Sequence, residues 1–359
     1  MELPPLRHLV LASSSPARHQ LLRSAHIAHR IEPSAASESF TGLSTREAVT
    51  ELAGRKAREV AGRLPGQLVL GCDSLLELDG RPYGKPGSKE AARALWHRLA
   101  GREATLWTGH VLLDGSSKRA LERAVPTTVS FGWPSEPELA SYLESGEATR
   151  LAGGFSIEGR AAPFLRAVAG EPANVMGLSL VALREMLAEL RLALAEFDWE
   201  KRGVLVRPLE SDDDRRWLTR MVEETWGLPL VSLSGLHDPG TLPGIVAESC
   251  GERLGVACYR LDEKGLEVVL LQSLLEGAGI GGRLLEGARQ LAREASVRLW
   301  LITTDENMGA LSFYLRQGLR LVAVHEDFIS RVAPFKPRLL QAEVFRDAFE
   351  LEQRPSPSR

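Results

Sequence analysis

Apolar positions in the first half of the chain come in short buried runs separated by helical periodicity. His8 to Ala12 reads as a strand, and Pro16-Ala17-Arg18 opens a helix whose first turn suits proline. Ser44 with Glu47 forms a capping box for a helix reaching about Leu64. Gln67 to Cys72 is a buried strand, and Leu75 to Leu78 turns at Asp79-Gly80 into Arg81 to Tyr83 as a hairpin. Ser88 caps a helix ending before Gly101, Thr105 to Leu113 returns as a strand, and Ser135 with Glu138 caps another helix ending at Gly146. A Gly-rich loop at Gly153-Gly154 precedes a strand at Phe164 to Val168 and an amphipathic helix from about Leu178 to Leu194.

A second pattern then starts afresh. Val204 to Arg207 is a strand, and Asp212 to Trp226 a helix with acidic residues in its first turn. Ile245 to Glu248, Leu254 to Leu261 and Leu266 to Gln272 have the shape of an antiparallel meander. A helix (Gly281 to Glu294), a strand (Val297 to Thr303), a helix (Met308 to Gln317) and a strand (Arg320 to His325) follow. The polar stretch Phe197 to Gly203 reads as a linker. The chain is therefore expected to hold a mixed α/β domain at 1–196, a linker at 197–203, an α+β domain at 204–350 and a disordered tail at 351–359.

A length of 359 residues favours two domains over one core. No apolar run is long enough to span a bilayer, and no signal peptide is read in Met1 to His8. The chain reads as cytoplasmic, without a membrane partner. Cys72, Cys250 and Cys258 lack metal-ligand spacing and read as small, mostly buried side chains. Lys and Arg total 44 against 47 Asp and Glu, with no basic excess in either half, which disfavours a nucleic-acid partner.

The first candidate chemistry lies at Ser13-Ser14-Ser15-Pro16-Ala17-Arg18, where a strand feeds a helix. Free N–H groups, hydroxyls and an arginine fork make an anion site there. Asp73 follows a buried strand, Lys85 sits in a stiff Gly84-Lys85-Pro86 turn, and Lys56 lies on the second helix. A nucleoside triphosphate carries about four negative charges, and its hydrolysis needs positioning and charge stabilisation more than covalent help. Arg18, Lys56, Lys85 and one divalent ion balance that charge. Asp73 and Glu38 are the candidates to hold the ion or take a proton from water, and Mg²⁺ suits a site with few carboxylates and no His/Cys cluster.

These residues carry a resemblance. Leu11 to Arg18 resembles the L-A-S-x-S-P-R-R opening of the Maf family, and Leu52-Ala53-Gly54-Arg55-Lys56-Ala57 its L-A-x-x-K-A helix. Gly71-Cys72-Asp73-Ser74 is similar to its G-A-D-T, Gly84-Lys85-Pro86 to its G-K-P, and Asn174 to Leu178 to its N-V-M-G-L. The resemblance implies a two-lobed, ITPase-like α/β fold that splits nucleoside triphosphates, non-standard or pyrimidine ones among them, into monophosphate and pyrophosphate with a divalent metal. It further implies phosphate binding by Ser13, Ser15 and Arg18, charge stabilisation by Lys56 and Lys85, Asp73 as base or metal-side carboxylate with Glu38 assisting, and a base contact from Glu158. Ala17, Ala104 and Leu151 depart from the family pattern, removing cations and a histidine.

In the second half, Glu276-Gly277-Ala278-Gly279-Ile280-Gly281-Gly282 leads from a strand into a helix. Glycines there permit close backbone approach, and the helix start offers N–H groups to a pyrophosphate. The same string fits a dinucleotide fingerprint, but the strands before it form a meander instead of βαβ units. With Asn307, Phe313-Tyr314 and Gly318 downstream, it resembles the GNAT acetyltransferases. That resemblance implies an α+β domain with a mixed central sheet that binds acetyl-CoA through Gly277, Gly279, Ile280, Gly281, Gly282 and Asn307. It implies a small-molecule or peptide amine as acceptor and Tyr314 as the acid for the leaving thiolate. Glu267 heads the motif strand, where two readings stand side by side: a relay for the proton of the amine, or a structural edge carboxylate. Glu276 stands where a glutamine or arginine is usual, and a carboxylate there repels a pyrophosphate unless it points away. Trp226, Gly235 and His237 lie in the variable segment that would shape the acceptor pocket. A homodimer is a candidate assembly. Two rival readings remain at this level: a first domain that binds nucleotide without turnover and regulates the acetyltransferase, and a second domain that serves only as an interaction module.

Overall fold

The computed structural model describes residues 8–199, 203–332 and 347–354. The chain divides into two compact units, Met1–Arg202 and Gly203–Arg359. In the first, the order is β1 (Leu9–Leu11), α1 (Pro16–Ser24), β2 (His29–Ile31), α2 (Thr45–Arg63), β3 (Leu68–Leu78), β4 (Arg81–Tyr83), α3 (Lys89–Leu99), β5 (Glu103–Asp114), β6 (Arg119–Phe131), α4 (Glu136–Glu144), β7 (Leu165–Ala169), α5 (Pro172–Val175) and α6 (Leu180–Glu189). The sheet runs β2-β1-β3-β5-β6-β7, with β4 hairpinned onto β3. β1 is parallel to both its neighbours, and the pairs from β3 to β7 are antiparallel. The capping box at Ser44 and Glu47 forms as expected.

β3 is one continuous strand where the sequence suggested two, because Asp73 and Ser74 keep the ladder to β5, opposite Gly109 and Thr108. It passes from one core to another. Leu68, Leu70 and Cys72 pack with Leu183, Met186 and Leu187 of α6. Further along, Leu76 and Leu78 pack with Trp96, Phe131, Tyr142 and Phe155. Asp73 therefore lies between the two lobes. β6 was not anticipated, since most of its positions are exposed or half-buried and no clean alternation betrays it.

α2 lies directly on this sheet. A Cβ on Gly71 would fall 2.1 Å from the carbonyl oxygen of Ala53, and one on Gly109 would fall 2.2 Å from that of Val49. Only glycine at both places lets the helix backbone approach that closely. Ala53, Ala57 and Val60 then pack on Val10, Val69 and Val111.

Two expectations at the unit's end are corrected. The helix predicted to Leu194 stops at Glu189, and Arg191 takes a positive φ of 61° before a short 3₁₀ turn at Leu194–Phe197. The stretch 197–203, expected as a polar linker, begins inside the first unit. Phe197 and Trp199 are buried, the Phe197 carbonyl accepts the Ala28 N–H at 2.5 Å, and Asp198 bridges to Ile27. The charged residues around these two aromatics masked their role as anchors.

The second unit runs β8 (Leu205–Pro208), α7 (Asp212–Thr225), β9 (Leu230–Ser232), β10 (Gly235–His237), β11 (Gly244–Ser249), β12 (Glu252–Asp262), β13 (Gly265–Ser273), α8 (Ile280–Glu294), β14 (Leu299–Thr304), α9 (Met308–Arg316), β15 (Arg320–His325), α10 (Phe328–Val332) and β16 (Ala348–Gln353). Its mixed sheet has the order β15-β16-β14-β13-β12-β11-β8, and β9 pairs with β10 as a separate hairpin. β11, β12 and β13 form the expected meander. β13 and β14 are parallel, and paired only from Leu266↔Leu299 to Val268↔Leu301. Past Val268 the two strands carry no ladder bonds to each other, so the sheet opens there.

The tail expected to be disordered from 351 is corrected as well. Residues 351–353 complete β16, which inserts between β14 and β15 and buries Leu351 in the core. Residues 355–359 lie outside the described residues. Asp214 on α7 is fully buried and accepts hydrogen bonds from Arg207 at 2.7 Å and Arg253 at 2.8 Å, and these guanidinium groups hold its carboxyl below the usual range. Among the described residues, no helix is long and apolar enough to cross a membrane.

Gly71→Ala or Gly109→Ala should force α2 off the sheet and destabilise the first unit by about 1–3 kcal/mol. Hydrogen exchange of the whole chain would show this as lost protection in α2 and β3, with β11 to β13 unchanged.

Candidate active sites

The glycine contacts that seat α2 also set the first site. Lys56 projects from α2 so that its ammonium lies 2.5 Å from Asp73 Oδ1 and 2.7 Å from Glu38 Oε1. Asp73 is 8% exposed and Lys56 nearly as covered, whereas Glu38 is largely open to solvent. The Glu38 carboxyl is held below its usual range, chiefly by the hydrogen bond from Lys56, with further contributions from the charges of Lys85 and Arg18. Lys85 is exposed in its turn and joins the cluster through that field.

Arg18 is positioned from several directions. Its Nε donates to the Gly177 carbonyl at 2.7 Å, Nη1 to Ser13 Oγ at 3.1 Å and Nη2 to Ser74 Oγ at 3.1 Å. Three of the five guanidinium N–H groups are thereby used within the described residues, leaving the rest for an anion. Gly177 is required here: its φ is 105°, and a Cβ would meet Arg18 Nε at 2.9 Å. Ser74 Oγ is 3.0 Å from Thr108 Oγ1, which donates to the Asn174 carbonyl at 2.9 Å. Asn174 is fully buried and donates to the Val125 carbonyl and to Thr127 Oγ1, both at 3.0 Å.

Ser74, Thr108, Asn174 and Gly177 are thus a brace for Arg18, which the sequence analysis did not assign. Its signal was present as the unexplained Asn174 to Gly177 motif and as hydroxyls on adjacent strands. Ser15 caps α1, its hydroxyl accepting the Arg18 N–H at 3.5 Å, and Ser13 is buried beside it. Glu158 stands apart: it is exposed in a turn held by Glu147, and no described contact joins it to Arg18, Lys56 or Asp73.

Cys72, on the opposite face of β3 from Asp73, is buried and its thiol is pushed up to about 12, which leaves it chemically inert. His110 is also buried and is lowered to about 3, first by desolvation and then by the Arg18 charge. As a neutral ring it accepts the Ser179 N–H at 2.8 Å and ties the start of α6 to β5.

A family model of Maf-like proteins matches residues 8–190, half of the chain. The chain belongs to the Maf family. The Maf region is 44% identical over 195 residues to the nucleoside triphosphate pyrophosphatase of Streptomyces coelicolor, an alignment covering 54% of this chain and 95% of that protein. It is 42% identical over 201 residues to the like-named enzyme of Streptomyces avermitilis, covering 55% and 97%. A model of the acetyltransferase (GNAT) family matches residues 199–319, and the second unit is a GNAT domain. Among solved structures, a GNAT family acetyltransferase from Elizabethkingia anophelis with acetyl-CoA bound is 16% identical, with a TM-score of 0.31, covering 42% of this chain and 98% of that one.

In the GNAT domain, the opening between β13 and β14 leads to the glycine loop. Gly277 and Gly279 take positive φ, 74° and 70°, and Gly279 starts α8. The first-turn amides of Ile280, Gly281 and Gly282 precede the first helical bond, from the Arg283 N–H to the Gly279 carbonyl at 3.1 Å. Gly281 also seats α9, since a Cβ there would approach Phe313 at 3.3 Å. Glu276 is exposed. Asn307 caps α9, its Oδ1 accepting the Ala310 N–H at 3.1 Å, so a structural duty is established for it. Tyr314 is buried against Leu266, Val268 and Leu301, and burial pushes its hydroxyl up to about 12. It therefore stays protonated across the physiological range. Trp226 donates its indole N–H to Gln272 Oε1 at 3.0 Å, beside the opening.

Replacing Lys56 with Gln should return the Glu38 carboxyl toward its ordinary range, since its largest depressing contact is removed. Side-chain carboxyl NMR of the two proteins would read that upward shift.

Proposed function

We propose that the first unit hydrolyses nucleoside triphosphates to a monophosphate and pyrophosphate. The observation that carries this is the convergence of Lys56 on Asp73 and Glu38 beside a braced Arg18 with donors to spare. Arg18, the α1 amides and Ser13 bind the phosphates, and Lys56 and Lys85 offset their charge. Water adds to one phosphorus of the anhydride joining the α- and β-phosphates. The bridging P–O bond breaks, the proton passes to Asp73, and pyrophosphate separates from the monophosphate.

The described residues contain no group of three or more metal-ligating side chains. Mg²⁺ commonly needs only one or two carboxylates together with substrate phosphates. Asp73 and Glu38 meet that requirement, because both already converge on a single cationic group. A bound divalent ion would supply further neutralisation of the triphosphate. Retention of the whole Arg18, Lys56 and Asp73 assembly favours turnover over a nucleotide sensor.

We further propose that the second unit transfers the acetyl group of acetyl-CoA to an amine, on a small molecule or a peptide. The amides of Ile280 to Gly282 receive the pyrophosphate, Glu267 takes the proton of the amine, and Tyr314 protonates the departing thiolate.

Pyrophosphate release from a panel of common, modified and pyrimidine triphosphates with Mg²⁺ tests the first proposal. Turnover of at least one is expected, falling by about 10²-fold or more in Asp73→Asn and lost on chelation. Nucleotide binding without turnover of any would overturn it. For the second, Tyr314→Phe should slow thiol release from acetyl-CoA by about 10-fold or more while leaving acetyl-CoA affinity unchanged.

A further inference from the structure

Glu267 is only 2% exposed, yet it forms no ion pair among the described residues. A buried carboxylate without a cation or a full set of hydrogen bonds is unfavourable and is retained where it has work to do. One of its oxygens, Oε2, accepts a hydrogen bond from the Ser234 hydroxyl. The other, Oε1, is buried without a partner among the described residues. Trp300 stands in register opposite Glu267 on β14, and its indole N–H is likewise buried without one. An acceptor oxygen and a donor N–H, left over at matched positions, point to a ligand that completes both.

Glu267 is placed for transfer chemistry. It immediately precedes Val268, the last residue of β13 paired with β14 before the sheet opens. Leu266 and Val268 face the core that holds Tyr314, so Glu267 presents the opposite face of the strand. The acid and the carboxylate thus flank the opening from its two sides.

The Ser234 contact continues outward. Ser234 Oγ is 3.2 Å from His237 Nε2, and Ser232 Oγ is 2.8 Å from the same nitrogen. The turn that joins β9 to β10 is fixed by the Ser234 N–H donating to Ser232 Oγ at 3.2 Å, and by Arg260 donating to the Ser234 carbonyl at 3.3 Å. His237 is half-buried, and its neighbours Gly235, Leu236 and Asp238 are exposed. The hairpin therefore links a buried carboxylate to an imidazole at the surface.

We infer that Ser234 and His237 are positioning residues that carry the proton of the acetyl acceptor from Glu267 to solvent when the acceptor amine enters as its ammonium. This rests on the acetyltransferase reading of the second unit. Glu267 Oε1 takes one proton from the ammonium, and the free amine attacks the thioester carbonyl. The C–S bond breaks as the thiolate leaves with the Tyr314 proton, which the second proton lost by the nitrogen replaces. The protonated carboxyl then turns about its Cγ–Cδ bond so that the proton-bearing oxygen faces Ser234. It donates to Ser234 Oγ while the hydroxyl, turned from the carboxylate to the imidazole, passes its own proton to His237 Nε2. His237 in its Nδ1–H tautomer becomes an imidazolium and releases the Nδ1 proton to water. The carboxylate is restored, with one proton delivered to solvent per amine.

Burial holds the His237 ring below its usual range, Arg260 adds to this, and Glu267 opposes it. The ring is thus neutral near pH 7 and free to accept a proton.

The test uses the full chain. Thiol release from acetyl-CoA is followed with a polyamine, an amino sugar and a peptide α-amine, from about pH 6 to about pH 9.5. In Ser234→Ala and His237→Gln the rate should fall about 10-fold near neutrality and recover to within about twofold at the alkaline end, where the amine enters deprotonated. A loss that is uniform across pH, or no loss, overturns the relay. In parallel, the His237 ring is titrated by NMR in wild type and Glu267→Gln. Removing the carboxylate should lower its titration midpoint, and an unchanged midpoint overturns the coupling whether or not any of the three amines is acetylated. Direct binding of acetyl-CoA to wild type is measured separately: its absence defeats the acetyltransferase reading, while the titration still decides whether the relay is wired.

Discussion

The approach of α2 to the sheet over Gly71 and Gly109 is the contact on which the first site depends. With any side chain at these positions, the helix would ride higher on β3 and β5 and carry Lys56 away from Asp73. Gly109 stands in register opposite Asp73, so the strand pair that shapes the carboxylate also clears the space for the helix. One packing requirement thus fixes the depth of a helix and the geometry of an ion pair. Because Asp73 falls where β3 passes between two cores, it is backed on both sides and yet keeps 8% of its surface exposed.

Arg18 illustrates a second economy. A guanidinium used for phosphate must be held without exhausting its donors. The Gly177 carbonyl and the hydroxyls of Ser13 and Ser74 engage three of them, and two remain unused within the described residues. The brace behind Ser74, through Thr108 to the buried Asn174, draws on strands far apart in the chain. Chemistry at Arg18 therefore requires the first unit to be folded through α5, although the arginine itself lies in its first helix.

In the second unit the decisive constraint is an incomplete ladder. Parallel pairing of β13 and β14 ends after three residue pairs, and the glycine loop, Tyr314 and Glu267 are all placed relative to the gap that follows. Strand alternation then divides labour. Leu266 and Val268 turn toward Tyr314, and Glu267 turns toward the β9–β10 hairpin. Neighbouring side chains of one strand thereby face Tyr314 on one side and the hairpin on the other.

The sequence by itself determined the parts governed by local physics. Capping at Ser44 and Ser88, the hairpin turn at Asp79-Gly80, the meander from β11 to β13 and the glycine-started α8 depend on neighbours within a few residues, and they form as read. The motifs holding Arg18, Lys56, Asp73 and Tyr314 are legible in the same way, as residue types at fixed spacing, and the proposals for their chemistry start from them. Tertiary structure decided what rests on distant partners. It merged β3 across Asp73, gave β6 a place despite its polar sequence, anchored Phe197 and Trp199 in the first unit, and drew residues 351–353 into the middle of a sheet. It alone showed that Asn174 and Gly177 brace an arginine, and that Ser234 and His237 reach a buried glutamate. Polar residues of this kind have no periodicity to report, because their value lies in single hydrogen bonds across the fold, and a sequence records only who is near along the chain.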